Sequence, residues 1–172
     1  VRLFLPSKPG LARLQRDSGK LLRETESRTG TRITESDGTL EIEGEGGDEW
    51  VAEQVLRALV LGFPPERAFK LTDEEWFLEE VDIEQAMRGS PRAVERQKAR
   101  LIGTGGTAKK TLEELSGAYL SVTGDKVAIL GRHEDLQDAK EAVLGLLEGR
   151  PHGSVYASLE KRKRAEKYAA LK

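Results

Sequence analysis

The chain repeats itself at an offset of 87 residues, and this repeat restricts the possible folds more than any local motif does. Residues 19–44, GKLLRETESRTGTRITESDGTLEIEG, lie without a gap over residues 106–131, GTAKKTLEELSGAYLSVTGDKVAILG. Gly19, Gly30 and Gly44 fall on Gly106, Gly117 and Gly131, while Glu26 falls on Glu113, Ile33 on Leu120, Leu40 on Val127 and Ile42 on Ile129. Identities are few. What is shared is an order: glycine, helix, glycine, strand, turn, strand, glycine. The register continues into a helix where Ala52, Val55, Leu56 and Leu59 match Ala139, Ala142, Val143 and Leu146. Common punctuation together with a common core pattern indicates a duplicated α+β domain.

Each copy has readable local physics. In the second, residues 109–116 form a helix with Ala108, Leu112 and Leu115 on one face, ended by Gly117. Residues 119–122 and 126–130 are strands joined by the turn TGDK, and 134–147 is the last amphipathic helix. The first copy reads as a helix over 20–29, strands near 31–34 and 39–43 around SDG, and a helix over 48–60. Its opening strand, VRLFLP, has a counterpart in EWFLEEVDI at 75–83, followed by an inserted helical turn around 84–87. The expected organisation is a first domain over 1–62, a linker over 63–73, a second domain over 74–150 and a C-terminal helical extension over 151–172. Pro64 and Pro65 stop the helix before the linker. In the extension, Val155, Leu159 and Tyr168 are spaced for an apolar stripe.

Composition removes several classes of function. The absence of cysteine excludes disulfides, thiolate metal sites and cysteine catalysis. His133 and His152, 19 residues apart, do not suggest a metal site, and no cofactor is implied. The acid-rich stretches EIEGEGGDE and DEEWFLEEVDIE show neither metal-ligand spacing nor a paired nucleophile and base, so an enzyme is not expected. No signal peptide or membrane span is recognisable, and a cytoplasmic location is the expectation. The net charge of −2 conceals segregation: residues 7–32 hold seven bases against three acids and 91–110 six against one, whereas 35–53 hold eight acids and no base. Both basic blocks surround glycine-bearing turns. A ligand meets this local potential rather than the average.

The more informative turn is GTGG, residues 103–106, which follows the basic segment ERQKARLI. It lacks the GxxxxGK[ST] and strand-GxGxxG signatures of nucleotide loops. Two readings stay open: a purely structural turn between helices, or a turn that lets a nucleic-acid backbone come close to glycine main chain and to the free N–H groups of the next helix.

Here the sequence resembles a known family. An IGxxG turn, a basic helix ending at glycine, two strands and a final helix are similar to a KH RNA-binding domain of the eukaryotic type. The stretches ERQKARLIGTGGTAKKTLEELSGAYLSVTGDKVAILG and LLEGRPHGSVYASLE resemble the archaeal relatives of the KH-type pre-rRNA processing factors that assemble the small ribosomal subunit. The resemblance covers essentially the whole chain. It implies tandem KH domains of the type I arrangement, each a three-stranded antiparallel sheet packed against helices, with the GxxG loop clamping about four single-stranded nucleotides. It further implies binding to the 3′-end region of small-subunit rRNA or its precursor, with the alpha subunit of translation initiation factor two and a ribosome-assembly endonuclease as candidate partners. A protein-binding adaptor with RNA contact secondary is the alternative.

Carried over by position, the RNA-binding set is Gly103, Thr104, Gly105 and Gly106, with Arg96, Lys98 and Arg100 before the loop, Lys109 and Lys110 after it, and Ile102 in the groove. Leu101, Ala108 and Leu120 are further candidates for an apolar groove floor, each more readily read as core. Family members often carry bases at the two middle loop positions, where this chain has Thr and Gly. The equivalent of the loop in the first copy is Arg16, Asp17, Ser18 and Gly19, and a carboxylate there repels phosphate. The first copy therefore reads as a degenerate KH domain suited to structure or protein binding. Lys20, Arg23 and Arg28, with Lys161, Arg162, Lys163 and Arg164 of the extension, form a candidate auxiliary basic surface.

Overall fold

The computed structural model describes residues 1–171, which divide into two units, Val1–Leu78 and a second beginning at Glu79. The first contains β1 (Arg2–Phe4), α1 (Lys8–Leu14), α2 (Arg16–Thr29), β2 (Arg32–Ser36), β3 (Thr39–Glu43), α3 (Asp48–Val60) and α4 (Pro65–Ala68). Strand β4 (Trp76–Asp82) leads into α5 (Ile83–Met87), α6 (Pro91–Ile102), α7 (Thr107–Ser116), β5 (Tyr119–Thr123), β6 (Lys126–Arg132), α8 (His133–Leu147) and α9 (His152–Ala170).

Helix starts follow their capping chemistry. The hydroxyl of Ser7 accepts the N–H of Gly10, and that of Ser90 accepts the N–H of Ala93, with a proline in the first turn of each helix. The carboxylate of Asp82 accepts the N–H of Gln85 and opens the inserted helix α5.

Both units carry a three-stranded antiparallel sheet, ordered β1-β3-β2 and β4-β6-β5. The hairpins share a register: Arg32 opposes Glu43 and Ser36 opposes Thr39 in the first, Tyr119 opposes Leu130 and Thr123 opposes Lys126 in the second. Adding 87 converts each pair into its counterpart. One side-chain hydrogen bond is duplicated as well. Glu26 Oε1 accepts the N–H of Ile33 at 2.7 Å, and Glu113 Oε2 accepts the N–H of Leu120 at 2.9 Å. The core of the first unit includes Leu14, Leu40, Ile42, Leu56 and Leu59, and that of the second Leu101, Leu112, Leu120, Ile129 and Val143.

Two expectations change. Residues 63–72 are not an open linker: α4 and a single 3₁₀ turn (Phe69–Thr72) fold into the first unit, burying Phe63, Ala68, Phe69 and Leu71. Helix α3 ends ahead of the prolines, at Gly62 with φ 103° and the N–H of Phe63 bonded back to the carbonyl of Ala58. Pro64 and Pro65 instead open α4, because proline is tolerated in a helix's first turn. In α9, Val155 and Leu159 are buried but Tyr168 is 63% exposed. Residues 155 and 159 are one turn apart, whereas at about 100° per residue position 168 lies on the other side of the helix.

Candidate nucleic-acid interface

Gly103 ends α6 with φ 77° and ψ 170°, and a Cβ on it would stand 2.6 Å from the backbone nitrogen of Ala108. Only glycine allows the chain to reverse this closely onto the start of α7. Gly105 and Gly106 are left-handed, at φ 63° and 79°, with open space where side chains would be. The hydroxyl of Thr107 donates to the carbonyl of Thr104, and the N–H of Gly106 to that of Gly103 at 3.1 Å, so the turn is held by its own residues. No side chain caps the N-terminus of α7. The N–H of Thr107 is taken by the carbonyl of Thr104, but the positive end of the helix dipole still favours an anion here.

The basic residues around this turn separate into distinct roles. Arg96 is exposed on α6, and Lys110 is exposed on α7. Lys98 and Lys109 each stand 4.0 Å from a carboxylate on their own helix, Glu95 and Glu113 respectively. Such loose pairs cost little to release. Arg100 is placed otherwise than its sequence position suggests. Its guanidinium donates to Gln97 Oε1, to the carbonyl of Leu146 at 3.0 Å and to that of Arg150 at 2.8 Å, clasping the end of α8 and the approach to α9. Leu101, Ala108 and Leu120 are buried in the core, leaving Ile102 the half-buried apolar side chain next to the turn.

Beside the turn lies an open groove of about 720 Å³ whose walls include Arg96, Thr104, Thr107, His152 and Tyr156. His152 and Tyr156 have no signal in the sequence that would place them here, since they begin a helix roughly fifty residues downstream. The connection is physical. His152 Nε2 lies 2.9 Å from the carbonyl oxygen of Arg100, one of the acceptors left over at the end of α6.

The corresponding turn of the first unit follows the same path only at its end. Ser18 and Gly19, at φ 56° and 77°, match Gly105 and Gly106, but Asp17 is itself left-handed at φ 51°. The guanidinium of Arg23 closes on the carbonyl of Ser18. Arg28 lies over the ring of Phe69 at 4.4 Å and pairs with Glu24. Of the candidate auxiliary bases in this unit, Lys20 is exposed in a cleft that also includes Asp17 and Glu24. In α9 the bases divide likewise. Arg162 pairs with Asp138 and Glu141, and Lys163 with Asp135, Asp138 and Glu166, whereas Lys161 and Arg164 are exposed.

The family model of the eukaryotic type KH-domain (KH-domain type I) matches residues 77–164. A KH domain-containing protein of Methanocaldococcus jannaschii is 38% identical over 157 residues, covering 88% of this chain and 69% of that protein. The pre-rRNA-processing protein pno1 of Aspergillus fumigatus is 34% identical over 113 residues, and the chain spans 44% of its length. Among solved structures, Dim2p from Pyrococcus horikoshii has a TM-score of 0.85 at 36% identity, covering 93% of this chain and 98% of that one. The crystal structure of an a/eIF2alpha–aDim2p–rRNA complex from the same organism has a TM-score of 0.87 at 35% identity, covering 95% and 94%. Among the described residues, no three His, Cys, Asp or Glu side chains converge as metal ligands. The chain belongs to the type I KH-domain family of RNA-binding factors related to Pno1 and Dim2p.

Proposed function

We propose that this protein binds single-stranded RNA mainly through its second unit, and that the target is the 3′-end region of small-subunit rRNA or its precursor during ribosome assembly. The observation that carries the reading is the turn 103–106, with its left-handed glycines open to solvent, its uncapped α7 and its flanking bases Arg96, Lys98, Lys109 and Lys110. Phosphates settle against the backbone of Thr104 and Gly105, since the N–H groups of Gly103 and Gly106 are bonded within the fold, while Ile102 offers apolar surface to a base. The first unit has a carboxylate at the equivalent place and a turn closed by Arg23, which supports a protein-facing role. The alpha subunit of translation initiation factor two is the proposed partner, supported by the complex in which the Pyrococcus relative was solved.

The test compares two variants at fixed ionic strength, because phosphate attraction itself changes with salt. Thr104→Asp with Gly105→Asp brings two carboxylates to the phosphate path and should weaken binding of a 3′-end rRNA oligonucleotide at least tenfold. Asp17→Asn, which keeps a residue tolerant of the left-handed region, should leave affinity within about twofold. Circular dichroism establishes that both fold. Unchanged affinity in the first variant with a loss in the second would overturn the assignment of the main contact to the second unit.

A further inference from the structure

We propose that the groove between the turn 103–106 and the start of α9 is a separate nucleotide subsite. It takes an unpaired nucleotide next to those held over the turn, with its base against Tyr156 and His152 and its phosphate facing Arg96. The inference rests on the RNA-binding reading above and adds a site on the other flank of α7. Glu113, which accepts the N–H of Leu120, fixes the flank carrying Lys109 and Glu113 as the one facing β5. Thr107 lies two residues before Lys109, about 200° around the helix, and lines the groove instead.

Three observations give this groove its ligand chemistry. Its volume of about 720 Å³ lies within the range of small-molecule sites, and no carboxylate is among the residues lining it. Arg96 lines its wall exposed to solvent and in no ion pair among the described residues. Tyr156 is half-buried against the core of the second unit, with its ring centroid 6.0 Å from that of His152 and the planes inclined by 59°.

This aromatic pair is prearranged rather than free to wander. The carbonyl of Arg100 holds His152 as an Nε2–H donor, which leaves Nδ1 as an acceptor toward a base edge, while the guanidinium of Arg100 secures Leu146 and Arg150 ahead of α9. A fixed aromatic face beside a guanidinium, with no opposing carboxylate, suits a nucleobase and its phosphate. The hydroxyls of Thr107 and Thr111 give their protons to main-chain carbonyls one turn back, so toward the groove they can only accept. Base amino groups are the matching donors. Because Thr104 belongs to both the turn and the groove wall, a strand leaving the turn can enter the groove without crossing a gap.

The test is an NMR titration of the full chain with unstructured RNA oligonucleotides of four and eight nucleotides at one ionic strength. Tyr156→Leu keeps apolar bulk against the core and removes the ring. It should weaken the eight-nucleotide ligand about tenfold, the scale of one lost stacking contact, and leave the four-nucleotide ligand unchanged. Tyr156→Phe should bind both like the unmodified protein. An eight-nucleotide RNA carrying 4-thiouridine should crosslink to the peptide containing His152 and Tyr156. Equal loss for both lengths, no loss for either, or crosslinks confined to β5 would overturn the subsite. Failure of the unmodified protein to bind either oligonucleotide would instead overturn the RNA-binding reading on which it rests.

Discussion

Gly103 shows how much a single missing Cβ can decide. The IGxxG pattern marks the position in the sequence, but the pattern does not say which glycine is sterically required. The geometry does: a Cβ at 103 meets the backbone of Ala108, whereas one at 105 meets nothing and suffers only the left-handed conformation. Gly103→Ala should therefore destabilise the second unit by about 1–3 kcal/mol. Gly105→Ala should cost about 1 kcal/mol. Urea denaturation of the two variants checks the order. The glutamates at 26 and 113 make a related point. Their equivalence is legible in the aligned copies, but their task is not, since the N–H each accepts lies seven residues on and is brought back only by the glycine that ends the helix. Arg100 was illegible for the opposite reason. Nothing local distinguishes a base that faces solvent from one whose acceptors are carbonyls roughly fifty residues away.

At the scale of one element, α9 is fastened to α8 along a line of acids. Asp135, Asp138 and Glu141 recur every three residues on one side of α8, and Arg162 and Lys163 reach them. The helical nature of the extension was legible from its composition and breakers; the inward use of two of its four clustered bases was not, because only the crossing of the two helices aligns them. Burial alone would push the Asp138 carboxyl up, but hydrogen bonds from Glu166, Lys163 and Arg162 outweigh it and hold the group below its ordinary 3.8. A carboxyl lowered on folding adds stability above its unfolded value and loses that contribution as pH falls through the folded one. Burial and the hydrogen bond to Asp138 raise Glu166, which acts in the opposite sense: its contribution is present below 4.5 and fades as pH rises. Asp138→Asn should lower stability at neutral pH by about 1–2 kcal/mol, between the exposed and buried limits for ion pairs. The gap from the unmodified protein should begin to narrow as pH falls below 3.8, where the unfolded chain takes up the proton, and close at lower pH as the folded Asp138 itself becomes neutral. Thermal denaturation across that range measures it.

For the whole molecule, the repeat of 87 residues was the most reliable guide, because sheet register and close approach at glycine are properties that copies keep after their side chains diverge. Gly44 sits against the side chain of Thr31 and Gly131 against Ala118, the same contact in each unit. Two sheets built to one register in one chain create a hazard that neither has alone: while folding, the central strand of one copy could pair in the sheet of the other, a known failure of repeated domains. The central strands differ where that exchange would be felt. In β3, exposed Glu41 and Glu43 alternate with buried Leu40 and Ile42, whereas their counterparts in β6, Ala128 and Leu130, are buried like their neighbours. An exchanged β3 would carry two carboxylates into positions without water, at several kcal/mol apiece. Glu41→Ala with Glu43→Leu should remove that barrier and lower the yield of monomer on rapid dilution from denaturant, read by size-exclusion chromatography. The acidic stripe of the first copy, unremarkable as surface charge, would then be what lets the chain tell its own halves apart while it folds.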